Sequence, residues 1–234
     1  MLVAAAVCPC PPLLVPEVAA GAAPELDAAR AACADAVGVL AAARPDLLFV
    51  VGPAADPDRG THHAGATGSF RGFGVDVAVR LGTGRPQERE LPPSLAVAAW
   101  LLGRAHWAPP VEGLAVAEDM EPARALAAGR LAGARADRVA LLAMGDGSAC
   151  RTLKAPGYLD ERAEAFDALA TRALGDADTG ALAALDAPLA YELKAAGRST
   201  WQVLAGAAEG AGLAGRLLYE DAPYGVGYSV AAWS

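Results

Sequence analysis

The chain has 234 residues, 54% of them apolar, with 19 Lys and Arg against 27 Asp and Glu, a formal charge of −8. That apolar content excludes a disordered chain, and the absence of a basic surplus excludes binding to nucleic acid through phosphate neutralisation. Alanine supplies 60 residues and arginine outnumbers lysine 17 to 2, so helix propensity alone discriminates little along this chain.

Leu2 to Cys8 is an apolar run stopped by prolines, which reads as a buried strand. Pro9, Pro11, Pro12 and Pro16 rule out a helical span or signal segment over the first residues, and no other apolar run of about 18 residues is free of breakers. Glu25 to Arg44 is expected to be helical, with Leu26, Cys33, Val37 and Leu40 on one face. Leu47 to Val51 follows as a second buried strand before Gly52-Pro53. Strand, helix and fully apolar strand in succession predict a parallel βαβ unit.

Asp56 to Gly74, rich in Gly, Asp and His, reads as a long loop, and Val75 to Leu81 as a strand. Pro92 to Trp107 is expected to be helical, Gly113 to Ala117 a strand and Glu121 to Leu131 a helix. Arg138 to Met144 is the central strand of the second half. Helices are expected over Asp160–Leu174, over Ala181–Arg198 and over Ser199–Glu209, the last capped by Ser199. Two closing strands, Arg216–Tyr219 and Gly227–Trp233, complete the chain. The expected architecture is one α/β domain over residues 1–234, with a mostly parallel mixed sheet and helices on both faces. Leu48, Val50, Leu141 and Ala143 are expected to be inaccessible.

Ligands in open α/β sheets bind beyond the carboxyl ends of strands. Three such ends stand out: Cys8 to Glu17, Val51 to Asp56, and Met144 to Cys150. In this order, together with the tail Tyr219 to Tyr228, they resemble the LigB-like class III extradiol dioxygenase superfamily, which includes the Memo-type proteins. The resemblance covers most of the chain and is weakest over Thr83 to Arg135. It implies a non-haem Fe(II) held by two histidines and a carboxylate, with a further histidine for acid–base work.

Matched residue by residue, the family's Pro-His-Pro-Pro stands here as Pro9-Cys10-Pro11-Pro12. Its histidine after Ser-Pro falls on Ala54, and its Gly-Asp-x-Ser-His becomes Gly145-Asp146-Gly147-Ser148-Ala149. The matching carboxylate falls near Glu192. The resemblance therefore places Cys10, Ala54, Asp146, Ser148, Ala149, Cys150 and Glu192 around one concavity in which the histidines are missing. No catalytic residue is assigned and no cofactor is expected, because Ala54 and Ala149 ligate nothing and Cys10 favours Zn or Cu(I) over Fe(II).

The expectation is a non-catalytic cytoplasmic protein that binds a small molecule or a partner, with a homodimer as its expected assembly and its tryptophans as interface candidates. The alternative is a metal-dependent enzyme, with Zn or Fe(II) on a relocated site made from Cys10, His62 or His63, and Glu192. His62 and His63 otherwise read as a solvated loop pair, and His106 as a cation at a helix end. Cys8, Cys33 and Cys150 otherwise read as small buried hydrophobes. Gly65 to Gly74 lacks the Gly-Lys-Ser/Thr of a phosphate loop.

Overall fold

The computed structural model describes residues 1–234. Its centre is a seven-stranded sheet in the order β3-β6-β2-β7-β1-β9-β8. The strands are β1 (Leu2–Cys8), β2 (Leu47–Pro53), β3 (Gly60–His63), β6 (Val111–Val116), β7 (Val139–Met144), β8 (Gly215–Asp221) and β9 (Tyr228–Trp233). A separate ribbon pairs β4 (Thr67–Ser69) with β5 (Ala78–Arg80). Pairing is parallel through β6, β2, β7 and β1, and antiparallel where β3, β9 and β8 join.

The apolar runs expected to be buried strands are the central ones because both of their faces are covered. Leu48, Val50, Leu142 and Met144 belong to one core, packed with α2 (Asp27–Ala42) and α3 (Pro93–Arg104). Phe49, Val51, Leu141 and Ala143 belong to a second core. That core is closed by α4 (Pro122–Gly133), α5 (Ala163–Gly175) and α8 (Arg198–Ala207). Strand side chains alternate in direction, so a strand buried on both sides needs apolar residues at every position. Leu48, Val50, Leu141 and Ala143 are all 0% exposed. On α2, Leu26, Cys33, Val37 and Leu40 are buried along the expected stripe, although regular α-helix begins at Asp27, after a 3₁₀ turn.

Four local expectations are corrected. Asp56–Gly74 is not a loop throughout: β3 forms the sheet edge against β6, and β4 forms half of the small ribbon. The burial of Thr61, His62 and His63 alternates exposed, buried, exposed, a period that the flanking glycines and polar residues conceal in the sequence. Only Ala78–Arg80 of the strand expected over Val75–Leu81 is paired. The single helix expected over Ala181–Arg198 is instead α6 (Thr179–Ala183) and α7 (Ala187–Glu192). The Asp178 carboxylate accepts from the Ala181 amide, the Asp186 carboxylate accepts from the Leu189 amide, and Pro188 lies in the first turn of α7. Lastly, α8 starts at Arg198, so Ser199 lies inside the helix, fully buried, instead of capping it.

α1 (Pro16–Ala19) completes the helices, and none is long and apolar enough to cross a membrane. Trp201 and Trp233 are buried within the fold, leaving only Trp100 and Trp107 half-buried. Two of the four tryptophans are thus spent on this chain's own core. His106 follows α3 with a left-handed φ of 50°, the backbone form that ends many helices.

α4 and α8 meet backbone to backbone. A Cβ on Gly206 would be driven into the Leu126 carbonyl, and one on Gly129 into the Val203 carbonyl. Gly206→Ala is therefore expected to lower stability by about 1–3 kcal/mol, because neither helix backbone can yield cheaply. Urea denaturation checks this, and a loss under about 0.5 kcal/mol would mean that the two helices separate freely.

Candidate functional site

The parallel strands direct their carboxyl ends to one edge, where the loops after β1, β2, β6 and β7 gather. Gly145, just past β7, donates its amide to the Cys8 carbonyl at 3.0 Å. The Cys10 amide in turn donates to Asp146 Oδ1 at 2.8 Å. The Asp146 carbonyl accepts from the Gly197 amide at 2.8 Å, which is why α8 begins where it does. A Cβ on Gly145 would collide with Gly197, and one on Gly197 would meet the Asp146 carbonyl at 2.9 Å. Only glycines allow this strand end and this helix start to touch. Ala54 closes the end of β2, with its amide bonded to the Val116 carbonyl at 2.8 Å.

Burial shifts Asp146, Cys10 and Tyr228 at this edge toward their neutral forms. Burial pushes the half-buried Asp146 carboxyl up to about 7; the Cys10 amide opposes the shift and the Glu118 carboxylate adds to it. Burial, then Asp146 and Glu118, push the Cys10 thiol well above its ordinary value. Tyr228, at the start of β9, shares a face with Val230 and Ala232. Burial raises its phenol, and Asp146 and Cys10 raise it further. A carboxyl near its titration point, a thiol and a phenol can exchange hydrogen bonds with a polar ligand.

The loop carrying Glu118 is fastened from beneath. Arg198, 1% exposed, donates to the Glu118 carbonyl at 2.6 Å, to the Met120 carbonyl, and to Gln202 Oε1 at 2.9 Å. Gln202 donates to the Ala183 and Leu185 carbonyls, each at 3.2 Å. Sequence reasoning missed Arg198, Gln202, Glu118 and Tyr228. The available signal was an arginine and a glutamine four residues apart at the start of a helix whose remainder, Val203–Ala207, is apolar.

Of the residues assigned to one concavity, six divide between two neighbourhoods and Glu192 lies apart from both. Cys10, Ala54 and Asp146 lie at the edge just described, Cys10 and Ala54 within the first core. Cys150 packs into the second core, its thiol donating to the Leu193 carbonyl at 3.4 Å, and the Ala149 amide donates to the same carbonyl at 2.9 Å. Ser148 is fully buried, and both its amide and its hydroxyl donate to Asp167, each at 2.7 Å. Glu192 points to neither group. It forms a 2.8 Å ion pair with Arg162, both side chains more than half exposed, and Arg162 also holds Asp160, whose carboxyl falls to about 2.

The relocated metal site is not assembled. Through the strand register His62 is level with Gly113, Val50, Leu142 and Ala6. Four strand spacings put it roughly 19 Å from β1, at mid-sheet height and not at the carboxyl edge. Its Nε2 lies 2.9 Å from the Asp58 carbonyl oxygen, and burial holds its pKa below the ordinary histidine value. His63, the next strand residue, faces the other way. No three His, Cys, Asp or Glu side chains form a metal-ligand group. The donors at the edge, the Asp146 and Glu118 carboxyls, the Cys10 thiol and the Tyr228 phenol beside the Ala54 methyl, include no histidine and do not fit the two-histidine, one-carboxylate facial triad of an oxygen-activating Fe(II).

No protein-family model and no curated protein matches the chain. In three dimensions it is similar to an uncharacterized protein of Escherichia coli K12, JW3007, with a TM-score of 0.51 and 16% identity over 99% of each chain. At that identity the likeness is one of fold.

Proposed function

We propose that the chain is a LigB-like, class III extradiol dioxygenase-related protein that has lost ring cleavage and binds a small molecule. One observation carries this reading. The first two strand ends that the resemblance matches to the family's histidines carry Cys10 and Ala54, and the carboxyl beside them, Asp146, accepts from the Cys10 backbone amide and is pushed by burial up to about 7. A divalent cation needs deprotonated or imidazole ligands to replace its water shell, and this edge offers neither in sufficient number. It retains the capacity to hydrogen-bond a polar ligand through Asp146, Cys10 and Tyr228. A cytoplasmic location and a homodimeric state belong to the same proposal.

Protein purified without chelator or immobilised metal is expected to carry far less than one Fe(II) per chain and to take up no oxygen with protocatechuate. Stoichiometric iron together with oxygen uptake on that catechol would overturn the reading. Sedimentation velocity at micromolar concentration tests the dimer, and monomer alone would remove that part.

A further inference from the structure

We infer that the groove between the Arg151–Leu159 loop and the Pro223–Gly225 turn is a binding site for a small organic anion with an apolar body, an acyl or aryl carboxylate. The groove has a volume of about 700 Å³ and includes Arg151, Leu153, Lys154, Leu159, Pro223 and Tyr224 in its wall. That size is in the range of small-molecule sites, roughly 300–1,000 Å³. A protein partner would need about 1,200 Å² of shared surface, more than so short a loop and turn provide.

The apolar half of the site is a local concentration of exposed hydrophobic side chains. Leu153, 62% exposed, and Leu159, 44% exposed, both line the groove, and Tyr158, 63% exposed, lies outside its wall in the same loop. Single exposed hydrophobics need no explanation, but a concentration of them in one short loop does. The loop is also held rigidly. The Arg151 amide donates to the Gly225 carbonyl at 3.0 Å, Gly157 to Ala149 at 2.8 Å, and Asp160 to Cys150 at 3.0 Å. Tyr158 is locked at a left-handed φ of 65°. A loop whose backbone is already held loses little further backbone entropy when a ligand covers it.

The charge at the wall selects the ligand's sign. The chain carries −8 and has only two lysines, and one of them lines this groove. Arg151 is paired with Asp167 and Glu164, and Arg162 with Asp160 and Glu192, while Lys154 takes part in no ion pair. Glu25 approaches the Tyr224 hydroxyl. An ammonium group without a partner beside Leu153 and Leu159 favours a carboxylate over a neutral or cationic head.

This inference is independent of the fate of the strand-end edge, so the iron measurement does not bear on it. The test is calorimetric titration of the full chain with 4-phenylbutyrate and with its neutral amide. We expect saturable binding of the carboxylate at one per chain, at least tenfold tighter than the amide. Lys154→Glu should weaken the carboxylate at least tenfold and leave the amide within twofold, while Leu153→Ser should weaken both. Both side chains are exposed, so the variants should melt as the parent does. Equal affinity for acid and amide, no saturable binding at millimolar ligand, or unchanged affinity in either variant would overturn the proposal.

Discussion

Truncating Asp167 to alanine is expected to cost about 3–5 kcal/mol, the range for removing one partner of a buried charged network. The Asp167 side chain is 5% exposed. It accepts from the Ser148 amide and hydroxyl at 2.7 Å each and from Arg151 Nη1 at 3.2 Å. Without it, a fully buried amide and hydroxyl lose their acceptor, and each such loss from a charged partner is worth about 1.5–3 kcal/mol. Arg151 is 25% exposed and can recover some hydration, so the total stays below the sum. The damage would spread, because Ser148 is clamped to the start of β9: its carbonyl accepts from the Gly227 amide at 2.9 Å. Asp167→Asn should lose less, since one oxygen still accepts from the Ser148 amide. Urea titration ranks the three proteins, and a loss under about 1 kcal/mol for Asp167→Ala would mean that water takes over the carboxylate's role.

Asp146→Asn is expected to stabilise the protein at pH 8, by up to about 4 kcal/mol if the whole shift from 3.8 to about 7 is realised. The sign follows from the direction of the shift. The folded pKa is raised, so between about pH 4 and 7 the folded state holds a proton that the unfolded chain has released. Stability therefore falls as pH rises through that window and stays reduced above it. Asparagine carries no charge to desolvate, and its Oδ1 still accepts from the Cys10 amide. The advantage of the variant should shrink as pH drops toward 4 and close below it, where the wild-type carboxyl becomes protonated in the unfolded chain as well. Thermal or urea unfolding at pH 4, 6 and 8 measures this. A variant less stable than wild type at pH 8 would mean that the ionised carboxylate is the form the fold prefers.

Residues that speak through neighbours in sequence were read correctly. Leu47–Val51 and Arg138–Met144 are apolar at nearly every position, and burial on both sheet faces is the condition that demands it. The stripe Leu26, Cys33, Val37 and Leu40 on α2 follows from helical spacing alone. The end of β7 at Met144 was placed correctly, since Gly-Asp-Gly stops extended chain there, whereas Gly52-Pro53 does not stop β2, which continues through both residues because β6 offers Ala115 and Val116 as partners.

The rest depended on partners distant in the chain. β3 is a strand because β6 offers it an edge to pair with, and the alternation of Thr61, His62 and His63 is too short to announce that. α8 begins at Arg198, not at a Ser199 cap, because two glycines let its first turn abut the end of β7. The strand-end residues divide for the same kind of reason. Cys10 and Cys150 follow strands that lie side by side, yet one side chain packs above the sheet and the other below it. Glu192 is drawn to the surface by Arg162, a residue 30 positions away. Periodicity and turn chemistry are short-range and can be read along the chain. Which strand ends adjoin, which side of the sheet a loop descends, and which cation claims a carboxylate are settled only when distant segments pack.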